Sequence, residues 1–247
     1  MTRNYIVSNH LLNSASLEQW GGRDRVPKDY YSTLLWAPGE VVRDDYQVAV
    51  SADAPPGVYR LDLGIYVKGG GAVLLVKDGK ALDTTSVTIA PIKVGGPPPG
   101  VTVQKPAPQV LRADRLGEAV TLLGYDLQSE AGSLSLTLYW RCDARLPADY
   151  TTFVHVRRED RKSAAPVAQM DRPPAEGAYP TSLWDPGEVI RDVVRIPIPA
   201  QVPPGDYEIV VGLYEFATGV RLPAADAAGS RSPDDAISLT TVTIRPQ

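Results

Sequence analysis

WAPGEVVRD at residues 36–44 and WDPGEVIRD at residues 184–192 are nearly the same nine residues written twice. Sliding the chain along itself by 148 positions aligns residues 36–66 with 184–214 without a gap, the signature of an internal duplication. PPGVY (55–59) meets PPGDY (203–207), and Gly64 and Tyr66 meet Gly212 and Tyr214. Further on, TTSVTIAP (84–91) matches LTTVTIRP (239–246) at an offset of 155, which places a longer loop before the last strand of the second copy.

Both shared motifs read as corners. Pro-Gly at the centre of a turn supplies a preset φ and then a tolerated positive φ, so the nonamer marks a strand entrance, with Trp36 or Trp184 packing the corner. In the Pro-Pro-Gly-x-Tyr motif, Tyr59 and Tyr207 stand two residues before Leu61 and Ile209. A tyrosine corner opens the sixth strand of an immunoglobulin-like sandwich in the same way.

Composition agrees with an all-β protein. Among 247 residues, 23 Pro and 21 Gly punctuate the chain too often for long helices. In the second copy, residues 118–127, 133–142, 150–158, 166–171, 188–198, 206–215 and 236–245 each suit a strand bounded by turn residues. Leu134, Leu136 and Leu138 alternate with Ser135, Thr137 and Tyr139, as in a strand with one face in a core.

The expected organisation is therefore two immunoglobulin-like antiparallel β-sandwich domains in tandem. Residues 1–94 form an incomplete repeat, 95–112 a Pro-rich linker whose core is 97–108, and 113–247 a complete repeat. The first copy offers only residues 4–12 and 16–20 ahead of its nonamer, and nothing matches residues 118–142. It is expected to lack its first two strands, which exposes a sheet edge and part of a core; the missing strands are expected either upstream in a longer natural protein or from a neighbouring chain by strand addition.

Residues 122–242 carry LLGYDL, LTLYW, PVAQMDRPP, GAYPTSLWDPGEVIRD and PPGDYEIVVGLYEFATGVRLP. This motif set resembles the C-terminal, extracytoplasmic β-sandwich module of bacterial, Chloroflexi-like membrane proteins, many of which resemble dolichyl-phosphate-mannose-type glycosyltransferases. The likeness covers the first copy only from about Tyr5. It implies an accessory, extracytoplasmic or cell-surface domain pair, with no activity or ligand to carry over. No secretory signal and no apolar run of membrane-spanning length is visible in this chain.

Chemistry is sparse. A net charge of −4 with interspersed signs offers no phosphate-neutralising surface, so nucleic acid is not expected as a partner. The single Cys142 excludes an intramolecular disulfide, no Cys/His cluster has metal-ligand spacing, and neither metal nor cofactor is expected. KGGGAVLL (68–75) reads as a hairpin turn rather than a phosphate cradle. His10 and His155 read as structural strand histidines. A glycosidase-like pair among Glu40, Asp44, Glu188 and Asp192 is the enzymatic alternative, against local ion pairs at Arg43-Asp44 and Arg191-Asp192. AADAAGSRSPDDA (224–236) reads as a solvated loop without the regular ligand spacing of a Ca²⁺ site.

Aromatic residues cluster before each nonamer. Trp36 and Trp184 read as core anchors. Tyr30, Tyr31 and Tyr179 are the candidate exposed platforms for stacking on sugar rings. The sparse chemistry points away from catalysis, and the resemblance implies a cell-envelope interaction module, with envelope polysaccharide as its candidate ligand. Its alternatives are an assembly subunit whose open first domain is completed by strands of a partner chain, and an accessory region of a glycosyltransferase-type membrane protein.

Overall fold

The computed structural model describes residues 3–130, 132–158 and 165–245; Pro246, the last residue of the second TVTI match, lies outside them. The chain is all-β, with antiparallel sheets none of which closes on itself, and it divides into two compact units, Met1–Gly96 and Pro97–Gln247.

In the first unit the strands are β1 (Tyr5–Asn13), β2 (Gln19–Gly22), β3 (Gly57–Val67), β4 (Val76–Lys77), β5 (Lys80–Ala81) and β6 (Ser86–Val94). Four of them form one sheet in the order β2-β1-β3-β6, and β4 and β5 make a small hairpin. KGGGAVLL is a turn as its sequence suggests: Gly70 N donates to Val67 O at 2.7 Å, and Val73 N folds back onto Ile65 O at 2.9 Å.

The second unit holds β7 (Val110–Leu116), β8 (Val120–Glu130), β9 (Ser133–Cys142), β10 (Tyr150–Arg158), β11 (Ala168–Arg172), β12 (Val189–Pro197), β13 (Gly205–Glu215), β14 (Ala224–Ala225) and β15 (Ile237–Ile244). They form two sheets, β11-β10-β13-β15 and β12-β9-β8-β7-β14. Period-two burial marks the facing sides: Leu134, Leu136, Leu138 and Trp140 of β9 and Ile190, Val194 and Ile196 of β12 are all buried, while Arg191 and Arg195 point out. Bonds between the sheets fix which strand lies over which. Thr152 Oγ1 of β10 donates to Asp192 Oδ2 of β12 at 3.0 Å, and Tyr125 Oη of β8 donates to Leu239 O of β15 at 3.2 Å.

Three expectations need correction. Residues 95–112 are not a bare spacer: β7 begins inside them, and residues 101–103 run along the outer edge of β12. There Val103 N donates to Val189 O at 2.8 Å and Arg191 N to Val101 O at 2.9 Å. The prolines around 101–103 conceal this short extended segment, whose own amides are available for pairing.

The 155-residue offset of the last strands is also not the structural one. Gly57 pairs with Val94 and Gly205 with Ile244, so β6 and β15 correspond at an offset of 150. The corner glycine, not the shared TVTI string, sets the register.

Finally, of the strands that precede β10 in the second unit, three, β7, β8 and β9, rather than two have no counterpart among the described residues of the first unit. Residues 41–49, which match β12, accordingly form no ladder among the described residues, because β12 takes its ladder from β9.

Candidate interaction surface of the first unit

Each nonamer builds the same bracket. Gly39 and Gly187 sit at φ +80° and +93°, as the second central residue of a Pro-Gly turn requires. The following glutamate closes the turn. Glu40 accepts from Ala37 N at 2.9 Å and from Tyr31 Oη at 2.8 Å; Glu188 accepts from Asp185 N at 2.9 Å and from Tyr179 Oη at 2.6 Å. The Ala37 amide, and then the Tyr31 hydroxyl, hold the Glu40 carboxyl below the usual carboxylate range. A threonine ties each bracket to the sheet: Thr33 Oγ1 accepts from Tyr5 N at 2.9 Å and Thr181 Oγ1 from Tyr150 N at 2.8 Å.

Four residues on from each glutamate, an aspartate pins the next segment. Asp44 Oδ1 accepts from Arg25 Nη2 at 2.8 Å and Lys28 N at 3.0 Å; Asp192 Oδ1 accepts from Arg172 Nη2 at 2.8 Å and Ala175 N at 3.0 Å. Desolvation pushes the Asp44 carboxyl up, but the Lys28 amide and the Arg25 guanidinium outweigh it and leave it below its ordinary value. Arg25 also lies 3.8 Å over the ring of Tyr46.

The partners of these aspartates are therefore arginines distant in sequence, not the adjacent Arg43 and Arg191; Arg43 pairs instead with Asp45 at 3.1 Å. Each of the four carboxylates is engaged in its own bracket or pin.

The candidate platform residues separate. Tyr30 is 78% exposed, and with Tyr31, Lys28, Glu40, Val41 and Val42 it lines a shallow groove of about 340 Å³. Tyr31 is half-buried, 6.4 Å from the Trp36 ring. Tyr179 is a correction: it is wholly buried, so it is no exposed platform. In the second unit the end of β9 and the loop after it close over the corner. Cys142 Sγ lies 3.8 Å from Trp184 O, Trp184 Nε1 donates to Tyr179 O at 3.0 Å, and Arg145 pairs with Asp185 at 2.6 Å. Among its described residues the first unit has no such strand, and Trp36 Nε1 has no hydrogen-bond partner there, where Trp184 has Tyr179 O of its own corner.

The same absence opens the inner face of the first sheet. Register makes Ile65 the counterpart of Leu213, and Leu63–Val87 the counterpart of the pair Val211–Ile237. Ile65 is 45% exposed where Leu213 is 0%, and Val87 is 53% exposed where Ile237 is 1%. Ile89 is half exposed beside the partly buried Leu61 and Leu63. At the β1 end the face is covered: Asn9, Leu11 and Tyr59 are buried, and Gly21 pairs with Val50 at the end of the pinned segment. Beneath that cover, Asn9 Nδ2 and Trp20 Nε1 have no hydrogen-bond partner. The exposed strip of Ile65, Val87 and Ile89 was not singled out from sequence; the unmatched first copy was the signal for it.

His10 Nε2 lies 2.8 Å from Asp24 Oδ1, and His155 Nε2 lies 3.4 Å from Asp171 Oδ1, a His–Asp contact on equivalent strands. In loop 224–236, Asp226 Oδ1 accepts from Ala228 N and Ser230 N, and Arg231 pairs with Asp235. Among the described residues no group of three His, Cys, Asp or Glu side chains is placed to hold a metal ion, and no helix is long and apolar enough to cross a membrane.

The chain matches no protein-family model and no curated protein, so the likeness to the extracytoplasmic module rests on the motifs quoted above.

Proposed function

We propose that this chain is a non-catalytic interaction module, a tandem of immunoglobulin-like sandwiches in which the first repeat offers an open sheet face as its binding surface. One observation carries the reading. Side chains that the second unit buries between two sheets are exposed at the equivalent positions of the first, and contiguous exposed apolar strips mark interaction sites. The likeness to envelope-facing modules favours an extracytoplasmic setting, and an accessory role beside a glycosyltransferase-type membrane protein fits the same picture.

Hydrogen exchange on the full chain tests the open face. Amides of residues 41–49 are expected to exchange about a hundredfold faster than those of β12, since they lack ladder partners. Equal protection of the two segments in a monomer by light scattering would refute the reading.

A second reading keeps polysaccharide as the ligand, favoured by the exposed ring of Tyr30 above its groove. It predicts retardation of the chain in gels containing glycan, abolished by Tyr30→Ala. Unchanged mobility across a broad glycan panel removes it.

A further inference from the structure

We infer that the open face seats an antiparallel β-hairpin that lies outside residues 1–247, whose leading strand pairs with residues 41–49 in the register by which β9 pairs with β12. The inference rests on the open face being a binding surface and specifies its occupant.

The first argument is burial along the unpaired segment. Residues 41–49 keep the period of a strand: Val42, Asp44, Tyr46 and Val48 are partly buried, while Val41, Arg43, Asp45, Gln47 and Ala49 are exposed, Val41 to 94%. That alternation matches β12, where Ile190, Asp192, Val194 and Ile196 face inward. The Asp44 pin holds the segment near its middle and the bond from Ser51 N to Trp20 O at 2.8 Å holds it just past its end, so the edge is preorganised for strand addition.

The width of the uncovered strip supplies the second argument. In the second unit β12 lies over β10 and β11, and β8 lies over β15. In the first unit the pinned segment covers the β1 side, and the strip left exposed, Ile65, Val87 and Ile89 beside the partly buried Leu61 and Leu63, runs along β3 and β6. That is the ground covered by β9 and β8, so it takes two strands. A second copy of this chain, pairing through its own residues 41–49, supplies one strand where the face takes two.

Register then sets the occupant's chemistry. Ile190, Asp192, Val194 and Ile196 lie opposite Trp140, Leu138, Leu136 and Leu134. The leading strand therefore carries apolar side chains at alternate positions: a large one opposite Val42 and a smaller one opposite Tyr46, whose ring takes up space that Val194 leaves to Leu136.

The probe is a synthetic hairpin of residues 120–142, the chain's own β8–β9 sequence with Cys142→Ser, added to the full chain and to a Tyr46→Val variant whose inner face matches β12. Exchange at residues 41–49 and along β3 is expected to slow about tenfold or more with peptide, further in Tyr46→Val, while β12 is unchanged and a scrambled peptide has no effect. No slowing in either protein overturns the hairpin. Residues 41–49 already protected in a dimer, by light scattering, overturn it in favour of a second copy. Fast exchange that peptide leaves untouched defeats only the hairpin, whereas slow exchange in a peptide-free monomer defeats the binding surface as well.

Discussion

Cys142 shows how a single side chain reports on the closure of the second unit. Its thiol is buried, its Sγ lies 3.3 Å from Ala144 O, and desolvation pushes it up from 9.0 to about 11. The native chain is therefore expected to resist maleimide at pH 8 and to react once unfolded, which a thiol assay with and without denaturant checks. Between pH 9 and about 11 the unfolded chain releases this proton while the folded chain keeps it, so stability falls as pH rises. Denaturation midpoints at pH 8 and pH 10.5 are expected to differ less in Cys142→Ala than in the parent, since the tyrosines that titrate in the same range are common to both. At this scale the sequence was legible where a side chain bonds its own neighbourhood. Tyr59 Oη donates to Pro55 O at 2.7 Å and Tyr207 Oη to Pro203 O at 2.8 Å, the corner that their motif announced. Tyr179 was misread: it is wholly buried, its hydroxyl turned onto Leu183 O and Glu188 of its own corner.

Between elements, the two copies differ in how closely strands approach. A Cβ on Gly212 of β13 would lie 2.5 Å from the Phe153 ring of β10, whereas on Gly64 of β3 it would meet Ser8 Oγ and Thr85 O at 3.0 Å. Gly212→Ala is expected to destabilise the second unit by about 1–3 kcal/mol through overpacking. Gly64→Ala costs its unit less, since a serine stands where the other copy has a phenylalanine. Chemical denaturation followed by exchange at β10 and β1 measures both. The nonamers carry the wider lesson. WAPGEVVRD and WDPGEVIRD fold the same turn, glutamate bracket and aspartate pin, yet only the second runs into a strand. Turn chemistry is local and readable, whereas a strand exists through the ladder of its neighbour, and β9 has no counterpart beside residues 41–49. β7 escaped the sequence reading for a related reason: the prolines before it dominate the local pattern, and its place is set by pairing with β8.

For the molecule as a whole, the division into two units and the all-β class were legible because punctuation by Gly and Pro and the 148-residue offset do not depend on tertiary contacts. The extent of the open face was not, since exposure of Ile65 or Val87 depends on strands that have no counterpart among the described residues of the first unit. Residues 101–103 bear on the practical dissection of this chain. They occupy the outer edge of β12, which is the terminal strand of its sheet and otherwise a free template for pairing. A truncation starting at Pro97 keeps that guard and is expected to stay monodisperse. One starting at Val110 bares the edge and is expected to aggregate with rising concentration, a difference that sedimentation velocity reads directly. Those three residues act as a built-in gatekeeper against self-association, which makes the prolines flanking them a matter of solubility as much as of spacing.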